Sequence, residues 1–240
     1  MNPWAFCEDL GSDDGQLEDQ EAHHLLHVLR LSRGASITVF DGKGTEAHAV
    51  VTAVSRRDVT FQVLSRTFHA PPSRASVTVA ASPPKADRLK WMVEKLTEIG
   101  VDRLILLNTQ RTIVTPGETR VDKLRANVVA ACKQSRRPCL MRIDAITPLN
   151  SVLEEFSSPS DARQVFIAHP GASTALSNSL ETRIAREVCV LIGPEGGFTE
   201  EEVASAVDSG AVPLSWPGGI LRIETAAVVF SSLQISKCAV

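Results

Sequence analysis

From Ser76 to the carboxyl terminus, short apolar segments typical of strands alternate with segments whose apolar residues recur at helical spacing. This alternation is typical of a parallel sheet covered by helices, so we predict an α/β domain over residues 73–240. Helices are predicted over 89–99, which ends at Gly100, and over 121–132. The predicted strands are 77–81, 103–107, 140–143, 164–168, 188–192 and 212–216.

The first 72 residues follow a different pattern, that of a small β-rich unit introduced by one helix. Residues 21–30 have mostly helical spacing and precede Gly34, and strands are predicted at 37–39, 47–54 and 59–64. The sequence Asp41-Gly42-Lys43-Gly44 suits a hairpin turn between the first two strands. Pro71-Pro72-Ser73 is a stiff, non-helical break, which we take as the domain boundary.

Composition excludes several classes of protein. With 43% apolar residues the chain can close a hydrophobic core. Its apolar runs fall far short of the roughly 20 residues that a bilayer span requires, and residues 1–22 lack a signal-peptide pattern, so a cytoplasmic location is expected. The five cysteines form no C-x-x-C pair and no ligand-like spacing with the six histidines, which argues against disulfides and structural zinc.

The net charge of −3 is unevenly distributed. Residues 1–22 hold seven acidic side chains and no basic one, whereas residues 120–142 hold seven basic side chains against Asp122 alone. The second segment is suited to facing nucleic-acid phosphates. A solvated helix face with a basic last turn explains the same charges, and both interpretations stay open.

Two glycine-bearing loops follow predicted strands. Residues 193–197, Gly-Pro-Glu-Gly-Gly, come after the apolar strand 188–192 and precede a capping box of Thr199 and Glu202. Residues 217–226 follow strand 212–216 and open the last helix. Glycines allow close approach of backbone to a ligand, so we expect the loops to leave neighbouring strands on one sheet edge and form a ligand site. A tight turn explains either loop alone, and neither matches a dinucleotide or phosphate-loop motif.

Beyond these features, the chain resembles over nearly its full length the SPOUT-superfamily RNA methyltransferases, in the RsmE-like family that modifies N3 of uridine in 16S ribosomal RNA. The resemblance implies a carboxyl-terminal methyltransferase domain with a trefoil knot that binds S-adenosylmethionine, an exception to the rule against threading. It also implies a PUA-like β-barrel over 1–72 that holds RNA, and a homodimer. The motifs that carry it are His24 with 28–30, 85–88, 94–101, 131–135, 192–197 and 221–226.

The resemblance assigns two sets of binding residues and no metal. The implied cofactor-binding residues are His169, Leu191, Gly193, Glu195, Gly196, Gly197, Pro217, Gly218, Leu221, Arg222, Glu224, Thr225 and Ala226. The implied RNA-binding residues are His24, Arg30, Lys85, Arg88, Lys133, Arg136 and Arg137.

Catalytic roles follow from what N-methylation of uridine requires. The N3 proton must leave, and a fixed cation would stabilise the resulting imide anion. Arg111 matches a family arginine and is the first candidate for that cation, with Arg222 second. Glu195 or Glu224 could accept the proton, although a structural role is the better expectation for Glu195.

The chain departs from the family pattern at four positions, where the family favours Gly, Gln, Glu and Thr. Here those positions hold Ala86, Glu94, Lys133 and Ile223. Ile223 removes a hydroxyl from the cofactor loop, whereas Lys133 enlarges the basic segment. Two alternatives therefore stay open, a non-catalytic RNA-binding or ribosome-assembly factor, and a SPOUT methyltransferase that acts on transfer RNA or on ribose.

Overall fold

The computed structural model describes residues 2–70, 75–114, 118–156, 162–181 and 185–238. The chain packs into two compact units, one of Met1–Pro71 with Val129–Leu140 and one of Pro72–Val128 with Met141–Val240. Residues 129–140, which the strand and helix pattern assigned to the α/β domain, therefore group with the first unit. The predicted break at Pro71-Pro72-Ser73 lies outside the described residues.

The first unit is built on a five-stranded sheet of order β1-β3-β4-β5-β2. Strands β1 and β3 are parallel and the other neighbours are antiparallel. These five strands form the part of the chain that we predicted to be a PUA-like barrel, and β1 and β2 are the outermost strands in this order. Its strands are β1 Trp4–Phe6, β2 Asp14–Leu17, β3 Ser36–Phe40, β4 Thr45–Val54 and β5 Val59–Phe68.

Helix and turn predictions in the first unit had different outcomes. The hairpin turn is confirmed, because Asp41 accepts hydrogen bonds from the backbone N–H groups of Lys43 and Thr45 at 2.7 and 2.9 Å. The single helix predicted over 21–30 is wrong in extent. It is a short helix α1, Asp19–His23, continued by a π-helical turn, His24–Val28. Strands β1 and β2 were not predicted, since three or four residues carry too little periodicity.

The second unit has a six-stranded, wholly parallel sheet of order β11-β9-β10-β6-β7-β8, which confirms the predicted α/β architecture. Helix α4 was not predicted. The strands are β6 Ser76–Ala81, β7 Arg103–Asn108, β8 Arg142–Pro148, β9 Arg163–Ala168, β10 Glu187–Ile192 and β11 Val212–Leu214. The helices are α2 Ala86–Ile99, α3 Glu118–Ser135, α4 Leu149–Phe156, α5 Glu200–Asp208 and α6 Ile223–Cys238, with a 3-10 helix at Leu176–Glu181.

The strand order corrects one expectation about the glycine-bearing loops. Strands β10 and β11 are not neighbours, because β9 pairs with both of them and lies between. All three strands are parallel, so the loops after β10 and β11 still leave the same edge of the sheet, as predicted. His169, which follows β9, therefore starts at the position between the two loops.

Apolar burial on the sheet holds these strands in place. A cluster that includes Ile105, Leu107, Val165, Ile167 and Leu191 is almost entirely shielded from solvent. Burying one such side chain contributes about 1.5–3 kcal/mol, so the carboxyl edge of the sheet is a rigid support for the loops that follow it. Within the described helices, none is long and apolar enough to span a bilayer.

Candidate functional site

The loop at residues 193–197 is a tight turn that needs its glycines. Gly197 has φ of +69° and donates a hydrogen bond from its N–H to the Pro194 carbonyl at 2.8 Å. A Cβ on Gly197 would have no atom within 4 Å, so the loop is open to a ligand there. At Gly193 a Cβ would lie 3.0 Å from the Phe198 ring, which is buried. Glycine is therefore needed at Gly193 because a side chain would crowd Phe198, and at Gly197 because the backbone is left-handed.

Arg111 joins this loop from the segment that follows β7. Its Nη1 donates a hydrogen bond to the Gly196 carbonyl at 2.7 Å. Its stem lies along the same glycine, where a Cβ would be 3.3 Å from the Arg111 Cδ. A guanidinium has five N–H donors, and in the described residues only Nη1 has a partner. Arg111 thus lies at the loop with Nε and Nη2 still available.

Glu202 forms a second link between the same two segments. It is 8% exposed, and its two carboxylate oxygens accept from the backbone N–H of Gln110 at 2.7 Å and of Thr199 at 2.9 Å. The Thr199 hydroxyl accepts in turn from the Glu202 N–H, which confirms the predicted capping box. The contact with Gln110 was missed, because no local pattern signals a bond across 92 residues.

We expect Glu202→Ala to lower the free energy of unfolding by about 2–4 kcal/mol, since it removes the side-chain half of the capping box and leaves two backbone N–H groups unpaired. Chemical denaturation monitored by circular dichroism measures this loss. Glu202→Gln, which keeps one carbonyl acceptor, should lose less. Equal stability of Glu202→Ala and the unsubstituted protein would show that the two segments are held together by other contacts.

In the loop at residues 217–226, Gly218 lies against the indole ring of Trp216, which is 41% exposed. A Cβ on Gly218 would lie 2.7 Å from Nε1 of Trp216, closer than real side chains approach. Helix α6 starts at Ile223, whose side chain is 4% exposed. Where the family favours a threonine hydroxyl, this chain therefore buries an apolar side chain.

Glu224, in the first turn of α6, has the most unusual environment in this loop. The residue is 7% exposed, and its Oε2 is buried without a hydrogen-bond partner in the described part of the chain. Its Oε1 lies 3.8 Å from Nε of Arg88. A buried acceptor without a donor costs about 1–3 kcal/mol, and native proteins rarely leave one unpaired. The geometry therefore suits a bound molecule that brings a hydrogen-bond donor.

The remaining predicted cofactor residues are placed less uniformly. The N–H of His169 donates to the Leu214 carbonyl at 2.9 Å, which ties the end of β9 to β11. The Leu191 side chain is fully buried in the core, so only its backbone could reach a cofactor. Glu195 and Arg222 are exposed, and their side chains have no partner within the described ranges. No hydrogen bond joins residues 193–197 directly to 217–226 among those ranges.

The predicted RNA-binding residues fall in both units. Lys85, exposed, and Arg88, partly exposed, lie at the start of α2 in the second unit. In the first unit, Arg30 and Arg136 are exposed and have left-handed backbone, with φ of +54° and +58°. Each follows a helical segment, where this conformation ends the helix. Arg137, also in the first unit, is partly exposed.

The charge of Lys133, another predicted RNA-binding residue, is balanced within the first unit. Its Nζ donates to both carboxylate oxygens of Glu21 at 2.9 Å, and Glu21 also accepts from the Phe6 N–H at 3.1 Å. The count of seven basic side chains in 120–142 therefore overstates the free positive charge of that segment. The assignment of Lys133 to RNA binding stays a prediction.

His24 lies beside this ion pair. Burial lowers the pKa of His24 from its ordinary value, the Lys133 ammonium lowers it further, and Glu21 acts in the opposite direction. The folded protein thus holds fewer protons at this site than the unfolded chain. The contribution of His24 to stability is present above the ordinary histidine pKa, about 6.5, and is lost as pH falls.

We expect Lys133→Met to raise the pKa of His24 part of the way towards its ordinary value, because burial remains. Titration of the His24 ring resonances by nuclear magnetic resonance measures the change. Lys133→Arg keeps the positive charge and should leave the pKa of His24 close to that of the unsubstituted protein. An unchanged pKa in Lys133→Met would rule out an electrostatic effect of Lys133 on His24.

Comparison with known proteins adds to this geometry. Residues 71–234 match the RNA methyltransferase domain family, and residues 17–64 match the RNA methyltransferase PUA domain family. The second match confirms the predicted PUA-like character of the first unit. The ribosomal RNA small subunit methyltransferase E of Mycobacterium bovis is 31% identical over 221 residues, which cover 89% of this chain and 82% of that protein.

Two solved structures are similar to the whole chain. A probable rRNA-methyltransferase from Porphyromonas gingivalis is 29% identical, with a TM-score of 0.85 over 99% of this chain and 98% of that one. The ribosomal RNA small subunit methyltransferase E from Neisseria gonorrhoeae, bound to S-adenosyl methionine, is 26% identical. Its TM-score is 0.86 over 98% of this chain and 97% of that one.

Proposed function

This chain belongs to the ribosomal RNA small subunit methyltransferase E family, and on that premise we propose that it methylates N3 of one specific uridine in 16S ribosomal RNA. The methyl donor of the reaction is S-adenosylmethionine. The choice of N3 of uridine, rather than another base atom or a ribose hydroxyl, follows from the resemblance of the motifs at 192–197 and 221–226 to the uridine-N3 enzymes.

The observation that carries the proposal is the contact between Arg111 and the loop at 193–197. A guanidinium fixed at an open glycine turn, on the carboxyl edge of a parallel sheet, is suited to a reaction in which negative charge develops on a bound base. Glu202 accepts a hydrogen bond from the Gln110 N–H and so holds the segment after β7 in place beside the loop.

The residues present fit the methyl donor. The open space beside Gly197 suits a bound molecule at this edge. We expect backbone groups of 193–197 and 217–226 to hold it, with His169 starting between them. When bound, S-adenosylmethionine supplies a methyl group on a positively charged sulfur.

The protein supplies alignment and electrostatics. Holding the uridine ring with N3 in line with the methyl group supplies much of the acceleration. The Nε and Nη2 groups of Arg111, which have no partner in the described residues, can stabilise the negative charge on the uracil carbonyl oxygens. Arg222, exposed at the start of α6, is the second candidate.

Further parts of the proposal concern assembly and partners. We expect the first unit to hold ribosomal RNA, with His24, Arg30 and Arg136 contributing, and Lys85 and Arg88 to contact it from the second. A homodimer, a trefoil knot in the carboxyl-terminal segment and a cytoplasmic location follow from the family resemblance. The strand order, in which the last strand β11 lies outside β9, is compatible with such threading.

Transfer of a tritiated methyl group tests the proposal. Purified protein with labelled S-adenosylmethionine is incubated separately with small ribosomal subunits, protein-free 16S RNA and transfer RNA. We expect label in small-subunit RNA, as free RNA or in the particle, and none in transfer RNA. Label in transfer RNA alone would contradict the proposed substrate, and no label in any RNA, with intact folding, would favour a non-catalytic binding role.

A further inference from the structure

One carboxylate oxygen in the second unit is both buried and unused. The Oε2 of Glu224 is buried and has no hydrogen-bond partner in the described residues, and the residue is 7% exposed. The other oxygen, Oε1, lies 3.8 Å from Nε of Arg88, which is beyond hydrogen-bond distance. The Glu224 carboxylate thus has a positive charge nearby and one oxygen, Oε2, that can still accept a hydrogen bond.

The other acidic side chains around the two loops do not combine these properties. Glu195 and Glu201 are exposed, and Glu201 also has a hydrogen bond with the Thr199 side chain. Glu202 is buried, but its two oxygens already accept backbone hydrogen bonds. A carboxylate that water does not reach has no hydration shell to shed before it takes up a proton. Glu224 is therefore the acidic group in this part of the chain that is best placed to receive a proton from a bound molecule.

Methylation of N3 requires such an acceptor, because N3 of neutral uridine carries a hydrogen. We infer that Glu224 Oε2 accepts the N3 proton of the target uridine. In this step the N3–H bond breaks and an O–H bond forms on Glu224. The electron pair left on N3 would bond to the methyl group as the bond from that group to the sulfur of the methyl donor breaks, and the pair of the broken bond would stay on sulfur. The inference rests on the proposed function and favours Glu224 over Glu195, the other candidate for this role.

Arg88 has a positioning role in this arrangement. Its side chain is 42% exposed and that of Glu224 is 9% exposed, so Arg88 is the more solvent-accessible member of the pair. Its positive charge lies close to the carboxylate of Glu224, which is in the first turn of α6. At 3.8 Å from Oε1, Arg88 influences the carboxylate through its charge alone and leaves Oε2 free to contact the uracil ring.

Glu224→Gln tests the inference, since it keeps the shape of the side chain and removes its ability to take a proton. We expect kcat on small-subunit RNA to fall by about 100-fold or more, a size typical of a lost general base. The Kd of S-adenosylmethionine, measured by calorimetry, should change by less than about threefold. The rate of the variant should rise steeply with pH, because uridine then loses its N3 proton to the solvent.

Glu200→Gln is the matched control, because Glu200 is an exposed carboxylate in the first turn of α5. It should keep the kcat of the unsubstituted protein. Glu224→Asp keeps a carboxylate and should retain more activity than Glu224→Gln, without the steep rise with pH. If Glu224→Gln does not fold, as judged by circular dichroism, the rate and pH profile of Glu224→Asp decide the matter.

Three outcomes would overturn the inference. Unchanged kcat in Glu224→Gln, with active unsubstituted protein, would remove Glu224 from proton transfer and leave the proposed function intact. A Kd for S-adenosylmethionine more than tenfold weaker in Glu224→Gln would show that the buried oxygen binds the methyl donor instead. Absence of N3 methylation by the unsubstituted protein would overturn the proposed function and this inference together.

Discussion

Replacement of Arg111 by alanine should lower kcat for methylation by about 100-fold or more, while the calorimetric Kd of S-adenosylmethionine weakens by less than tenfold. The expected size is that of losing one fixed electrostatic stabiliser of the transition state. The binding effect is smaller because the partners of Arg111 in the described residues are two backbone carbonyls, those of Gly196 and Phe198, and Glu202 still links the two segments.

Arg142→Ala is the control for general loss of positive charge. Arg142 begins β8 at the amino edge of the same sheet. Its side chain is 70% exposed, and its guanidinium pairs with Asp144. Asp144 keeps its ion pair with Arg103 when the exposed Arg142 side chain is removed, so Arg142→Ala should stay close to the unsubstituted rate. Near-normal turnover in Arg111→Ala would remove Arg111 from the mechanism.

Replacement of Gly193 by valine should weaken S-adenosylmethionine binding by about 100-fold or more. A Cβ there would lie 3.0 Å from two ring carbons of Phe198 and 3.2 Å from its backbone nitrogen. Phe198 is 6% exposed in the core beside Leu191, so it cannot move aside without displacing other core residues. Overpacking of this kind costs about 1–3 kcal/mol. We expect the backbone of the loop to shift, because the sheet is held by its buried core.

Gly196→Ala provides the graded comparison for Gly193→Val. Its Cβ would meet the Arg111 Cδ at 3.3 Å, and an exposed side chain can yield by that amount. We expect a smaller loss of affinity than in Gly193→Val. Calorimetric titration with S-adenosylmethionine on both variants, after circular dichroism has established that they fold, measures the difference. Normal affinity in a folded Gly193→Val would mean that the methyl donor does not depend on this turn.

Much of the second unit could be predicted from the sequence because its signals are local. Apolar strands, the left-handed Gly100 after α2 and the capping box before α5 each depend on residues a few positions apart. Strand order is different, since it depends on which distant segments pair. The insertion of β9 between β10 and β11 therefore could not be read from the pattern.

The site shows the same division. Glycines and loop positions indicated where a ligand could bind, and the family resemblance indicated which ligand. The link from Glu202 to Gln110 and the burial of Glu224 Oε2 depend on tertiary packing, so no spacing predicts them. The pairing of Lys133 with Glu21 likewise joins residues 112 positions apart, and it changed the meaning of a local charge count. The individual cofactor and RNA contacts stay predictions.

The central claim is that this protein methylates N3 of one uridine in small-subunit ribosomal RNA. Small subunits from a bacterial strain without its own copy of this enzyme are incubated with the purified protein and S-adenosylmethionine. Their RNA is then digested and mapped by mass spectrometry. We predict one new N3-methyluridine at a single position. Unmodified RNA, or a methyl group found only on ribose or on another base, would contradict the claim.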